Sequence, residues 1–221
     1  MKRRTKSLIV LVLMFISSMG VFLWLEYQGA SGATTDQAYL TGANALETTY
    51  LNYHDEVMVL SEEYQLSYAY LMALITLECS GNRPPGSRFE PAVFRRLMQV
   101  RDGGRGRYEN IRPSHLKDAS EEALRNLATS WGPFQLMGYK CIGLDVNVRD
   151  IRGEEGVDYG VKWISEEYGH LLKKDRFKDA FHYHNTGRIY PKVGKPRTHD
   201  PNYVGKGLTY MAYFDQRRLE E

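Results

Sequence analysis

An uncharged run of 19 residues, Ser7 to Leu25, constrains this chain more than any other feature of its sequence. As a helix such a run is about 28 Å long, close to the roughly 30 Å hydrocarbon core of a bilayer. Four basic residues precede it within positions 1–6, and basic flanks stay on the cytoplasmic side of a membrane. We therefore predict a cytoplasmic basic arm at 1–6 and a single-pass anchor in the cytoplasmic (inner) membrane at 7–25. Everything that follows is then exported to the periplasm or cell wall.

A cleaved signal peptide is the alternative to a retained anchor. Signal peptides usually have shorter apolar regions, of about 7–15 residues. Ser17, Ser18 and Gly20 shorten the effective apolar core, however, and the small residues at 29–33 offer cleavage sites. Residues 26–45, rich in small side chains, are predicted to be a linker.

The exported part is close to electrically neutral, because the residues from Tyr27 onward include 25 basic and 26 acidic side chains. Binding to nucleic acid phosphates needs a clear excess of basic residues. No nucleic acid partner is therefore expected.

Both cysteines, Cys79 and Cys141, lie in this exported part. An oxidising compartment permits a disulfide between them, while two small buried thiols are the alternative. The sequence leaves both interpretations open.

Helical periodicity dominates from about residue 45 onward. Glycine- and proline-bearing loops separate the helical segments, and no run of alternating apolar residues indicates a series of long strands. We predict a mainly α domain over 46–221, with a small β element within 81–90 or 101–112. The predicted helices cover residues 51–64, 67–77, 91–100, 121–128, 157–172, 179–183 and 203–214.

Glu78 ends the apolar stripe of one predicted helix. Leu71, Leu74, Ile75 and Glu78 are spaced so that all four share one face. Removing a carboxyl group from water favours its protonated form, as a general acid requires near neutral pH. A glutamate that reaches solvent at the helix end is the simpler alternative, and periodicity alone does not separate the two.

Three later segments supply polar groups next to turns. The first, TSWGPFQLMG at 129–138, places Gln135 among apolar neighbours, where an amide suits the N-acetyl and hydroxyl groups of a sugar. The second is AFHYHNTGR at 180–188, with Tyr183 and Asn185 ahead of a glycine turn. The third, DPNYV, opens the last predicted helix at residue 200.

In order and spacing these residues resemble the lytic transglycosylases and goose-type lysozymes. Over the middle of the chain, ECSG, FEPAVFRRL and SWGPFQLMGY also resemble the N-acetylmuramidases of phage endolysins and bacterial autolysins. Together the likeness covers about residues 60–214. It departs from the transglycosylase pattern at Cys79, where serine is usual, and at His184, which separates Tyr183 from Asn185.

The resemblance implies an α+β lysozyme-like fold in which a substrate cleft lies between two helical lobes. It also implies cleavage of the β-1,4 bond between N-acetylmuramic acid (MurNAc) and N-acetylglucosamine (GlcNAc) in peptidoglycan, without a cofactor. Glu78 is then the catalytic acid/base. The expected substrate-binding residues are Ser80, Glu90, Gln135, Met137, Tyr183, Asn185 and Tyr203.

Two outcomes of that chemistry remain. A lytic transglycosylase needs one carboxylate and forms 1,6-anhydro ends, whereas a hydrolase ordinarily uses a second carboxylate to activate water. No second acid stands within the other family motifs, which favours the transglycosylase. Glu90 is the best second candidate, although it is also placed to orient a loop or to pair with Arg95 or Arg96.

Other functions are weaker interpretations of the same sequence. His182 and His184 point about 200° apart on a helix, so no metal site is expected. A cysteine peptidase using Cys79 and a catalytically idle glycan-binding scaffold are the alternatives to a glycosidase. The expected partners are peptidoglycan glycan strands, the membrane through the N-terminal helix, and an envelope or secretion machine.

Overall fold

α-Helices make up most of residues 35–220, the part of the chain that the computed structural model describes. The prediction of a mainly α domain with a small β element is therefore confirmed. In chain order the helices are α1 (Thr35–Glu63), α2 (Tyr68–Cys79), α3 (Pro91–Arg101), α4 (Pro113–Leu116), α5 (Glu121–Leu127), α6 (Cys141–Leu144), α7 (Val148–Arg152), α8 (Gly156–Leu172), α9 (Phe177–Thr186) and α10 (Tyr203–Leu219).

The helix that carries Glu78, α2, is the most deeply buried element of the domain. Ser67 caps its start by accepting a hydrogen bond from the backbone N–H of Tyr70 at 3.2 Å. Ser80 ends it in the left-handed conformation, with φ of 55°. Residues 68–76 are buried on every side of the helix, so α2 is a central core helix that other helices surround.

The loop after α2 is held in place by α1. Tyr53 donates a hydrogen bond to the carbonyl of Asn82 at 2.7 Å, and the Asn52 amide donates to the carbonyl of Gly81 at 2.8 Å. These two bonds fix the direction in which the chain leaves the helix, immediately after Glu78.

Each predicted helix is present, and apart from the start of α1 their ends differ from the prediction by a few residues. The largest extension is in α1, which begins at Thr35. Residues 35–45 of the predicted linker are therefore helical, although their small side chains indicated a spacer. Three helices of four or five residues, α4, α6 and α7, were not predicted, because so short a segment shows no periodicity.

The three strands form one small antiparallel sheet in the order β1–β2–β3. β1 (Arg88–Phe89) lies where a β element was expected. β2 (Thr129–Trp131) and β3 (Leu136–Met137) were not predicted. They form a hairpin inside the Gln135 motif, with Ser130 opposite Met137. Gly132 opens its turn at φ of +71°, where a Cβ atom would lie 2.7 Å from the carbonyl oxygen of Ile151.

The apolar core consists of two clusters of buried side chains. The first gathers residues of α1, α2, α8, α9 and α10 together with Phe134 from the hairpin. The second gathers residues of α3, α5, α6 and α7. Phe134 is fully buried against Gly160 of α8, where a Cβ atom would lie 2.2 Å from the phenyl ring. The absence of a side chain at Gly160 therefore allows the hairpin turn to dock on α8.

The two cysteines are buried free thiols, one in each cluster. Of the two alternatives that the sequence left open, the structure contains two buried thiols and not a disulfide. Burial raises the pKa of Cys79 and that of Cys141 to about 11. A thiol with so high a pKa is a poor nucleophile at neutral pH, which argues against a peptidase that uses Cys79.

No helix within residues 35–220 is both long and apolar enough to cross a membrane. The predicted basic arm at 1–6 and the predicted anchor at 7–25 lie outside the described residues. Both stay predictions, and so does the export that depends on them.

Replacing Gly160 with alanine tests the docking of the hairpin turn. We expect Gly160→Ala to lower the free energy of unfolding by about 1–3 kcal/mol, the usual cost of overpacking a core. Gly205→Ala is the matched helical control, because a Cβ atom there meets nothing within 4 Å. Urea titration of both variants provides the measurement, and equal stability of the two would contradict this account of the turn.

Thiol titration tests the state of the cysteines. The native protein should react slowly with an aromatic disulfide reagent at pH 7, because both thiols are buried and protonated. After unfolding without reductant, two thiols per chain should react at once. A chain with no free thiol after unfolding would indicate a disulfide instead.

Candidate active site

Glu78 opens into a cavity of about 560 Å³ whose walls come from both apolar clusters. The ends of α2 and α9 and the start of α10 form one wall, and the small sheet and the start of α3 form the other. The lining side chains are those of Leu77, Glu78, Arg88, Glu90, Val93, Ser130, Gln135, Met137, His184, Asn185, His199, Asp200 and Tyr203. Carboxyl, amide, hydroxyl and imidazole groups thus converge on one space.

One carboxyl oxygen of Glu78 is fixed by a tyrosine. The hydroxyl of Tyr203, on the first turn of α10, donates a hydrogen bond to Oε1 of Glu78. Burial, with the nearby Glu78 carboxylate, raises the pKa of Tyr203 well above its usual range. The phenol therefore stays protonated and remains a donor at every physiological pH.

The other carboxyl oxygen of Glu78 faces the cavity. The Glu78 side chain is 17% exposed. Among the described residues no buried polar side-chain atom lacks a hydrogen-bond partner, and no partner contacts Oε2. That oxygen is therefore open to the cavity, which makes it the one able to exchange a proton with a bound molecule.

His184 lies beside Glu78 and is held as a neutral imidazole. Its Nε2 atom is 3.9 Å from Oε1 of Glu78 and donates to the carbonyl of Phe134 at 3.0 Å. Its Nδ1 atom accepts from the Tyr168 hydroxyl at 2.8 Å, and Tyr70 donates to that hydroxyl at 3.1 Å. Burial lowers the pKa of His184, although the Glu78 carboxylate acts in the opposite direction.

Most of the hydrogen-bonding groups of Gln135 are used within the protein, where they hold the wall of the cavity together. Its Nε2 atom donates to the carbonyl of Gly86 at 2.8 Å and to that of Gly132 at 3.0 Å. Its Oε1 atom accepts from the Ser130 hydroxyl at 2.9 Å. Both amide protons are therefore used within the protein, and only one lone pair of Oε1 remains for a ligand.

Two further carboxylates line the cavity, and each is held by a basic side chain. Glu90 forms an ion pair with Arg88, with 2.7 Å between Oε1 and Nε, and not with Arg95 or Arg96, the partners considered from the sequence. Asp200 is bound by Lys206 at 2.8 Å and by the backbone N–H of Asn202 at 2.8 Å. These bonds lower the pKa of Asp200, so that it stays ionised.

The cavity brings together six of the eight residues predicted for the site. Ser80 is exposed as the end cap of α2, and Tyr183 points away, donating to Glu167 at 2.8 Å; neither lines the cavity. His184 takes the place expected for Tyr183, because a helix turns by about 100° between successive residues. The six residues that do line the cavity are Glu78, Glu90, Gln135, Met137, Asn185 and Tyr203.

Other residues with a possible functional role have structural partners. The Trp131 indole donates to the carbonyl of Asn126 at 2.9 Å and packs against the second cluster, outside the cavity. His182 is buried and bound to the backbone of Arg188. In the part of the chain that the structure describes, no group of three His, Cys, Asp or Glu side chains is arranged to hold a metal ion.

No protein-family model matches the chain, and no curated protein does. Among solved structures, the chain is similar to the crystal structure of a Burkholderia AP3 phage endolysin, with a TM-score of 0.49 and 15% sequence identity. The alignment covers 74% of this chain and 70% of that one.

The protonation of His184 is open to measurement. Because its pKa is lowered, we expect its imidazole signals in a nitrogen–proton correlation spectrum to stay those of the neutral form as the pH falls through about 6.5. Near pH 6.5 His184 takes up a proton in the unfolded chain but not in the folded chain. This group therefore lowers the free energy of unfolding as the pH falls further. Protonated signals at pH 6.5 would contradict the assignment.

Proposed function

We propose that this protein cleaves the glycan strands of peptidoglycan at the β-1,4 bond between MurNAc and GlcNAc, with Glu78 as acid and base. One observation carries the proposal. A mostly buried carboxyl group has one oxygen fixed by Tyr203 and the other open to a cavity whose walls offer amide and hydroxyl groups. The order of the motifs around Glu78, Gln135, Asn185 and Tyr203 supports peptidoglycan as the substrate.

The first step needs a proton on the open oxygen of Glu78. That proton passes to the glycosidic oxygen as the bond to C1 of MurNAc breaks, which leaves Glu78 as a carboxylate and GlcNAc with a hydroxyl group. The neutral state of His184 matters here, because a cation 3.9 Å away would hold the carboxyl group in its charged form. Tyr203 then stabilises the carboxylate through the bond that it already donates.

We favour a lytic transglycosylase for the second step. Glu78, now a carboxylate, accepts the proton of the MurNAc 6-hydroxyl, and that oxygen forms a new bond to C1. The product is a 1,6-anhydro ring, Glu78 regains its proton, and no water is consumed. Neither of the other carboxylates in the cavity is needed, which agrees with their ion pairs to Arg88 and Lys206.

Hydrolysis is the second candidate, and the position of Glu90 favours it. Glu90 lines the same cavity, and its Oε1 atom lies 2.7 Å from Nε of Arg88. Among the described residues, no group donates a hydrogen bond to its Oε2 atom. That oxygen is available to take a proton from an attacking water. Asp200 is less suited, because each of its two oxygens accepts a hydrogen bond.

The proposed substrate requires an exported domain. We propose that the segment at 7–25 holds the protein in the cytoplasmic membrane and that the catalytic domain works in the periplasm or cell wall. The partner that we propose is an envelope or secretion machine that must pass through the cell wall. A wall-cleaving domain held at the membrane would open the wall for it.

Loss of the acid should abolish cleavage of the substrate. We expect Glu78→Gln to lower the release of soluble fragments from purified sacculi at least about a hundredfold, the lower end of what a general acid contributes. The isosteric control is Glu62→Gln, an exposed position on α1. If the wild type binds sacculi and releases nothing, the protein is a glycan-binding scaffold and the proposed reaction is wrong.

Mass analysis of the fragments separates the two reactions. A transglycosylase yields 1,6-anhydro ends from the wild type and keeps most of its activity in Glu90→Gln. A hydrolase yields reducing ends and loses its activity in that variant. Reducing ends from the wild type would therefore contradict the preferred mechanism.

Removing the phenol that fixes Glu78 should weaken catalysis without abolishing it. A hydrogen bond to a charged group is worth about 1.5–3 kcal/mol, so Tyr203→Phe should lower kcat about 10- to 100-fold. Tyr210→Phe, two turns further along α10, is the control and should keep full activity. An unchanged kcat in Tyr203→Phe would exclude a role for this hydroxyl.

A further inference from the structure

A strongly basic segment lies in the chain between two stretches that line the cavity, and the proposed reaction makes no use of it. Residues 188–197, here called the rim loop, lie between α9 and α10. Within it Arg188, Lys192, Lys195 and Arg197 are all exposed, and the loop has no acidic residue. Four positive charges within ten residues make it the clearest departure from the near-neutral balance of the domain.

The rim loop is held at both ends by one buried histidine. His182, on α9, is 1% exposed. Its Nδ1 atom donates to the carbonyl of Arg188 at 2.7 Å, and its Nε2 atom accepts from the backbone N–H of Arg197 at 3.1 Å. Partway along the loop, the N–H of Tyr190 donates to Asp179 at 3.1 Å. The loop thus has a defined base, and its position depends on backbone bonds rather than on its four basic side chains.

Both ends of the rim loop lead into the cavity wall. Asn185 lines the cavity three residues before Arg188, while His199 and Asp200 line it just after Arg197. Each end of the loop is therefore within three residues of the cavity lining.

The charges of the rim loop are not neutralised by the protein. Among the described residues, none of its four basic side chains takes part in an ion pair or a hydrogen bond. Asp200, the nearest acidic residue in the sequence, is bound to Lys206. The positive charge of the loop is thus available to a ligand in solution.

We propose that the rim loop binds the carboxylates that a peptidoglycan strand carries on its MurNAc units. This inference rests on the proposed substrate and deepens it. The sugar rings of the strand are uncharged, and its negative charge lies on the lactyl groups or on the peptide stems attached to them. Guanidinium and ammonium groups bind carboxylates through charge-assisted hydrogen bonds, so the loop complements the one charged part of the strand.

The test compares three soluble ligands in the Glu78→Gln background, where strands are not cut. They are strands with peptide stems, strands from which an amidase has removed the stems, and a neutral chitooligosaccharide of similar length. The rim loop variant combines Arg188→Gln, Lys192→Gln, Lys195→Gln and Arg197→Gln, none of which alters the backbone bonds to His182. Titration in low salt gives the affinities.

We expect the rim loop variant to bind carboxylate-bearing strands about tenfold more weakly, as four exposed ion pairs would allow. Its affinity for the chitooligosaccharide should not change. A loss confined to strands without stems assigns the interaction to the lactyl carboxylates, and a loss confined to strands with stems assigns it to the peptides. A loss with both kinds of strand shows that the loop binds either carboxylate.

A matched control removes charge elsewhere on the surface. Arg107→Gln with Lys117→Gln changes two exposed basic residues between α3 and α5, neither of which lines the cavity. The proposal is overturned if this control loses as much affinity per charge, if the rim loop variant keeps its affinity for the strands, or if it also loses the neutral ligand. Binding of the loop to anionic lipid vesicles, with no effect on strands, would assign it to a membrane surface instead.

The outcome is separable from that of the proposed reaction. If the wild-type protein cuts no strand but the rim loop variant loses affinity only for carboxylate-bearing strands, the role of the loop stands and the catalytic role of Glu78 is wrong. If cutting occurs with no charge preference, the reaction stands and the role of the rim loop is wrong.

Discussion

The hydrogen bond between Tyr203 and Glu78 joins the start of α10 to the end of α2, through two residues that are 125 positions apart in the sequence. Glu78 ends a helix whose other residues are almost entirely buried, and a carboxylate in such a place needs hydrogen-bond donors to be tolerated. α10 supplies the donor because it packs along α2, with Tyr203 at its start. The packing of α10 on α2 therefore both completes the core and positions the Tyr203 hydroxyl against Glu78. Stability and the proposed chemistry depend on this one interface.

A chain of buried polar groups surrounds this pair. Tyr70, Tyr168 and His184 pass hydrogen bonds from one to the next, and the last proton goes to the carbonyl of Phe134. Each group is satisfied, which is the condition under which a buried polar network stabilises a fold. Both ring nitrogens of His184 already have a hydrogen-bond partner, so neither is free to take up a further proton. The imidazole beside the acid thereby stays uncharged.

The cavity exists because the small sheet joins the two apolar clusters at one edge. Phe134 anchors the hairpin turn in the first cluster, while the strand residue Met137 packs against the second. Gln135 uses its amide to tie the turn to the loop before β1. This residue therefore shapes the space in which a ligand lies, and its contribution to binding is mainly indirect.

The sequence by itself predicted the longer helices and six of the thirteen residues that line the cavity, Glu78 among them. These properties follow from local periodicity and from the order of the motifs, which need no knowledge of long-range contacts. It did not determine the hairpin of β2 and β3, because strands of two or three residues carry no readable alternation. Nor did it distinguish His184 from Tyr183, because a one-residue difference on α9 is decided by how that helix is rotated against α8 and α10. Likewise, the pairing of Glu90 with Arg88 and the closure of the rim loop by His182 depend on distances that only tertiary packing sets.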